Sequence, residues 1–375
     1  MSKRIVLLAF FFILLFAAKK ILHRNGFVPQ AEGRPSGRKL AQSEFSSYLE
    51  PLLKPELVWK TRGSLKGGIL GKPMRLIASR KRYRERLDEI VRSYAPRIWW
   101  HSADPFGPMD PLKFVQKSSL WKRGAPAKQL TAQGELKPEA LKGAHSDSFL
   151  RFEDPTYGTG QMRNWAVEAL DKEDYSGSFE PGTVPIFWKV SASPVIRNHP
   201  VRQAFVFIEY WYHVAYSHAT RFGVGNHQGD WEGMSVLVEL RLSERKEIQH
   251  QAIAAFLASH EGGQWHCARE LGWVDRHPEV YTALGTHATY AKSGHFRTSV
   301  LEDQTNRGRH WDSWHWLAPL HLEPYFGYRG RWGEEQVVGF MSGPFVPEDE
   351  TKTIPKQVRG REEALVAEIE KRCSL

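Results

Sequence analysis

Short apolar or aromatic runs, separated by Gly, Pro, Asp and Asn, pattern the chain from Tyr94 onward. They span Ile186 to Val190, Ala204 to Val214, Met234 to Leu240, Ile253 to Ser259 and Val280 to Leu284, with Arg97-Ile98-Trp99-Trp100-His101 ahead of them. Runs of this length with turn residues between them predict strands, and turns instead of helices as connectors predict mainly antiparallel pairing. The fold class expected is mainly β: an antiparallel β-sandwich or jelly-roll core with peripheral helices and an N-terminal hydrophobic segment. Ile77, Tyr83, Leu87, Ile90, Val91 and Tyr94 recur at helical spacing among basic and acidic residues, so an amphipathic lead-in helix is expected over 76–94, stopped by Pro96. A short helix over Glu362 to Arg372 closes the chain. The segment from about Lys122 to Gly182 is polar and reads as an excursion from the core. No internal repeat is present.

Ahead of this pattern, Ser2-Lys3-Arg4 precedes the unbroken apolar run Ile5 to Ala18, which ends at Lys19-Lys20. Basic flanks around such a run read as a signal anchor or a signal peptide over 1–22. The run is shorter than the roughly 20 residues that span a bilayer comfortably. Ile21 and Leu22 can lengthen it if the lysines extend toward the headgroups. Either reading makes the protein membrane-anchored or secreted, hence extracytoplasmic. Residues 23–75 mix Gly, Pro, Ser and charge, as a stem does, leaving 76–347 for the sandwich and 348–375 for a tail with the short helix.

Composition alters this picture in two places. The chain has 375 residues with 14 Trp, and its 52 Lys and Arg against 42 Asp and Glu give a net charge of +10. That balance favours an anionic lipid or glycan ligand, and its spread along the stem and lead-in helix disfavours nucleic acid. The only cysteines, Cys267 and Cys373, can form one disulfide but no cysteine-based zinc site. Gly-x-Ser-x-Gly, Walker and His-Glu-x-x-His motifs are absent, and Gly223-Val224-Gly225 lacks the third glycine of a dinucleotide loop.

Candidate chemistry concentrates between Phe205 and Glu239. There the aromatic run Phe205 to Tyr212 leads into a loop holding Gly223, Gly225, His227 and Gly229, followed by Asp230-Trp231-Glu232-Gly233. Period-two geometry places Asp230 and Glu232 on one face of a strand and Trp231 and Gly233 on the other. His260, before Glu261-Gly262-Gly263, and His287, after Gly285-Thr286, likewise stand where a strand gives way to a glycine-containing turn. A single histidine at a strand end is commonly a hydrogen-bonded structural residue, and an Asp-x-Glu pair is commonly a solvated edge. The recurrence of such histidines in one third of the chain argues instead for a shared polar rim. Asp230, Glu232 and His287 are the expected ligands of a divalent metal cation: Zn, Mn or Fe if imidazoles dominate, Ca or Mg if carboxylates do. His227 and His260 are the candidate catalytic bases for a metal-bound water.

A series of motifs then appears in order: Tyr94-Ala95-Pro96, Tyr210-Trp211-Tyr212, Gly229-Asp230-Trp231-Glu232, His260-Glu261-Gly262-Gly263-Gln264-Trp265, Pro278-Glu279-Val280-Tyr281-Thr282-Ala283, His287-Ala288-Thr289-Tyr290, Gly330-Arg331-Trp332-Gly333 and Ser342-Gly343-Pro344. Together they resemble the vacuolar protein sorting-associated protein 62 family over about Tyr94 to Pro347. A looser similarity links Gly225-Asn226-His227-Gln228-Gly229-Asp230-Trp231-Glu232 to the necrosis- and ethylene-inducing-peptide-like proteins, cation-binding β-sandwich toxins that recognise sphingolipid headgroups. That similarity implies Asp230 and Glu232 at a cation with His227 beside it. Gly229 replaces the histidine that precedes the aspartate in the toxins, so cytolytic activity is not carried over. The expected function is a cation-dependent β-sandwich that binds, and in one version hydrolyses, a glycan- or phosphate-bearing ligand. The alternatives are a non-catalytic lipid- or glycan-binding module, and a structural component of protein trafficking whose polar cluster only pins loops.

Overall fold

The protein is described by a computed structural model over residues 85–124, 126–144, 146–152, 177–190, 195–197, 203–218, 226–242, 248–260, 262–298, 302–333, 344 and 361–373. All lie within the compact unit Ser43–Leu375. The N-terminal apolar run and the stem fall outside these residues. Among the described residues no helix is long and apolar enough to cross a membrane.

In chain order a helix α1 (residues 85–94) leads into β1 (Arg97–Trp99), followed by α2 (Pro111–Gln116), β2 (Ser118–Lys122), β3 (Lys128–Thr131), β4 (Ser148–Phe152), β5 (Ile186–Val190) and β6 (Val195–Arg197). The long central strands are β7 (Gln203–Ser217), β8 (His227–Leu242) and β9 (Ile248–Ser259). After them come β10 (Gly262–Cys267), β11 (Gly272–Val274), β12 (His277–Thr282), β13 (Thr289–Tyr290), β14 (Gly294–Arg297), β15 (Glu302–Thr305), β16 (His310–Asp312), β17 (Leu317–Pro319) and α3 (Glu362–Cys373).

Two sheets form the sandwich. The larger runs β10-β9-β8-β7-β5-β17 with β6 also on β7; the smaller runs β11-β12-β1-β16 with β13 on β12. Pairing is antiparallel apart from β1 with β12 and β5 with β17. Small sheets β14-β15 and β3-β2-β4 complete the strands. The sandwich expectation therefore holds, with two parallel pairs added. The segment expected to leave the core does not do so throughout: β4 pairs with β2, and Leu141, Phe149 and Leu150 are buried.

The register of β7 against β8 explains why Phe205 to Val214 is almost uninterruptedly apolar. Tyr210 pairs with Met234, Tyr212 with Glu232 and Val214 with Asp230, so the even-numbered residues of both strands share a face. That face looks at the smaller sheet, where Tyr212 meets Trp100 and Trp311 at ring separations of 5.4 and 6.4 Å. On the other face Phe205 and Phe207 pack under Val366 and Ile369 of α3, while His213 and Trp231 lie among Phe114, Tyr325 and Trp332. Central strands buried on both faces lose the alternation of a half-solvated sheet. Asp230 and Glu232 thus point into the sandwich, toward the turns of the smaller sheet.

Candidate functional site

The site grows from two turns that meet the inner face of β8. Between β12 and β13 the chain passes through Leu284-Gly285-Thr286-His287. Gly285 has φ +73°, and a Cβ there would stand 2.0 Å from the His218 carbonyl oxygen. The carbonyl of Gly285 accepts the His218 N–H at 2.6 Å, and its own N–H donates to Asp104 Oδ2 at 2.8 Å. His287, with φ +54°, is then held by its N–H to Ala283 and by its carbonyl, which accepts the Tyr212 hydroxyl at 2.9 Å. Positive φ is costly for a residue with a Cβ and persists where the surroundings over-determine it.

This strained backbone places the His287 ring between two carboxylates. Nδ1 donates to Asp230 Oδ2 at 3.0 Å. Nε2 faces Asp104 Oδ2 at 3.4 Å, an ion-pair contact without the geometry of a formed hydrogen bond. The side chains of His287 and Asp104 are fully buried, and that of Asp230 is 4% exposed. Burial by itself disfavours the charged ring, but the Asp104 charge and the contacts to both aspartates outweigh it and push His287 up to about 10. The ring is an imidazolium, and it supplies the positive charge that paired carboxylates in a closed core require.

A second cluster is joined to the first through Thr286. His260, at φ +43° between β9 and β10, brings Nε2 to 2.6 Å from Asp303 Oδ2. The Tyr290 hydroxyl donates to the same oxygen at 2.6 Å and Thr286 Oγ1 donates to Asp303 Oδ1 at 3.1 Å. Burial would raise the Asp303 carboxyl, yet the His260 bond and charge, with the two hydroxyls, hold it below its usual range. Burial and the Asp303 bond push the Tyr290 phenol upward, and the Glu232 charge adds to that rise, which puts Glu232 electrostatically between the clusters. His260, with 27% of its side chain exposed, and the partly exposed Tyr290 bring the network to solvent.

Of the residues singled out by sequence, Asp230 and His287 are in direct contact, Glu232 shares their face, and His260 joins through Asp303 and Thr286. His227 does not enter this network through its register. It pairs with Ser217 on the odd-numbered positions of β8, opposite to Asp230 and Glu232, and its Nδ1 lies 3.4 Å from the Gln228 carbonyl. Among the described residues no group of three or more His, Cys, Asp or Glu is arranged to hold a metal ion. Sequence reading missed Asp104 and Asp303, neither of which sits in a motif of the series. The one available signal for Asp104 was Asp104-Pro105-Phe106, where an aspartate turn forms as Oδ1 accepts the Phe106 N–H at 3.0 Å.

Gly229 stands where the toxin-like motif carries histidine, and the packing gives the reason. Its φ is +57°, and a Cβ there would lie 1.8 Å from the Trp332 carbonyl oxygen. The Gly330-Arg331-Trp332-Gly333 motif runs directly over β8 at this point, and no side chain fits beneath it.

Comparison with known proteins agrees with the motif series. No curated protein matches the chain. Among solved structures the crystal structure of non-toxic HaNLP3 protein aligns at 10% identity and TM-score 0.34, over 70% of this chain and 86% of that one. Residues 214–304 match the family model vacuolar protein sorting-associated protein 62 (Vps62). The matched segment contains Asp230, Glu232, His260, His287 and Asp303, and over it the chain is similar to that family.

Proposed function

We propose that the protein is a non-catalytic β-sandwich recognition module displayed outside the cytoplasm. Its rim around His260 receives a polar, glycan- or phosphate-bearing ligand, and the buried network beneath holds that rim rigid. The observation carrying this reading is the double engagement of His287. Each ring nitrogen faces a carboxylate inside a closed core, so the ring has neither a lone pair to offer a metal nor access to a substrate proton. Strained backbone at both His260 and His287 supports a functional rim, since such conformations concentrate at ligand clamps. The Cys267–Cys373 disulfide supports an oxidising compartment. The cation reading of Asp230, Glu232 and His287 requires the imidazolium to leave the two aspartates first.

Binding of the full chain to vesicles of neutral phospholipid, anionic phospholipid or glycosylated lipid tests this. Saturable binding to the anionic or glycosylated vesicles, weakened about 10-fold by His260→Ala with the fold intact, is expected for the loss of one or two charge-assisted hydrogen bonds. Turnover across a panel of phosphoesters and glycosides overturns the non-catalytic reading. A stoichiometric metal in the purified protein that is lost in Asp230→Ala restores the cation.

A further inference from the structure

The disulfide joins β10 to the C-terminal helix, Cys267 to Cys373, across 106 residues of sequence. The α3 helix covers the face of the larger sheet that points away from the polar site, closing over Phe205, Phe207, Leu237 and Phe256. Its own hold is slender. Only Val366 and Ile369 are buried in it, aided at its C-terminus by Arg269, which donates to the carbonyls of Arg372 and Cys373 at 3.2 and 2.8 Å. The Arg372–Glu270 pair at 3.3 Å is exposed. Free helices of this length are marginal in water.

A cleft of about 180 Å³ opens between β10 and α3, and both cysteines line it with Gln264, Trp265, Glu368 and Arg372. The two sulfurs are not equivalent, for Cys267 is buried at 1% exposure while Cys373 is half-buried.

We propose that this cleft is a thiol-exchange site for low-molecular-weight thiols, and that exchange there releases α3 as a strap. An incoming thiolate attacks Cys373 Sγ, a new sulfur–sulfur bond forms to Cys373, and the Cys267–Cys373 bond breaks with its electron pair leaving on Cys267. The Cys267 thiolate takes a proton from solvent. No further oxidant or reductant is consumed, because one disulfide is exchanged for another. Without its tether α3 detaches, and the aromatic face under it is uncovered while the sandwich stays folded. This is independent of any ligand at the His260 rim.

The test uses the native full chain with reduced glutathione, read by peptide mass spectrometry and amide hydrogen exchange. Expected are a glutathionyl group on Cys373, a free thiol at Cys267, and exchange across 362–373 faster by about 100-fold with β7 and β8 unchanged. Cys373→Ser should loosen the same helix without any thiol present, which separates loss of the tether from the bulk of the adduct. Absence of an adduct on the native protein, an adduct on Cys267 instead, or α3 protection unchanged after modification each overturns the proposal. If Cys373→Ser does not fold, the glutathione arm decides alone.

Discussion

A histidine held between two aspartates in a closed core makes stability depend steeply on His287. Removing the ring by His287→Gln leaves Asp104 and Asp230 facing each other without a cation, and breaking a buried pair in this way costs about 3–5 kcal/mol. Urea denaturation should show that loss, with much of it recovered in the double variant His287→Gln with Asp230→Asn. The folded-state value of His287 is raised from 6.5 to about 10. Its stabilisation is therefore fully present below about pH 6.5 and is lost as pH rises through about 10. The difference in unfolding free energy between wild type and His287→Gln should shrink across that window, and a constant difference up to pH 10.5 contradicts the assignment. Asp303 behaves with the opposite sign, since its folded-state value lies below the ordinary 3.8. Its contribution is present above that value and fades as pH falls below it, so Asp303→Asn should flatten the acid limb of the stability profile. His213 is a contrasting case: burial among aromatic rings pushes it down to about 3, and it stays neutral throughout.

At the scale of single elements, β8 shows how a strand can be legible and yet be misread. The alternation of Asp230, Trp231, Glu232 and Gly233 correctly places both carboxylates on one face. The same alternation removes His227 from that face once the strand is seen to begin at His227. A run of glycines looks like a loop in sequence, but Gly229 is a strand residue whose missing side chain makes room for the Trp332 backbone. Gly229→Ala must relieve both that clash and a positive φ, so it should destabilise by at least about 2 kcal/mol. A melting temperature within 2 °C of wild type would sink this account of the motif. The lead-in helix is another partial reading: among the described residues it covers 85–94, and its Leu87, Ile90, Val91 and Tyr94 are buried as their spacing predicted.

For the whole molecule, the two cysteines matter more than their number suggests. Deleting 361–375 should uncover Phe205, Phe207 and Phe256 and increase binding of an apolar dye, while the His260 rim, on the other face, keeps its ligand affinity. Loss of both together would mean that α3 supports the entire sandwich. The same two-sided burial explains the high aromatic content. Trp100 and Trp311 fill the space between the sheets, whereas Trp231 and Trp332 pack behind the larger one.

The main run of central strands, the β-sandwich class, the closing helix and the shared face of Asp230 and Glu232 were determined by the sequence alone, because period and turn chemistry are local properties. β5 was predicted over the same residues that it occupies, Ile186–Val190. What tertiary structure decided was which charges meet. His287 lies 57 residues from Asp230, which is on the other sheet, and also faces Asp104, which follows β1 in its own sheet. His260 lies 43 residues from Asp303. No local pattern encodes those pairings, since each brings a histidine at positive φ against a carboxylate on a distant strand, β8 for His287 and β15 for His260. The role of the imidazole was decided at that level too. A histidine beside carboxylates reads from sequence as a metal ligand, and only the burial of both ring nitrogens against aspartates makes it the cation itself.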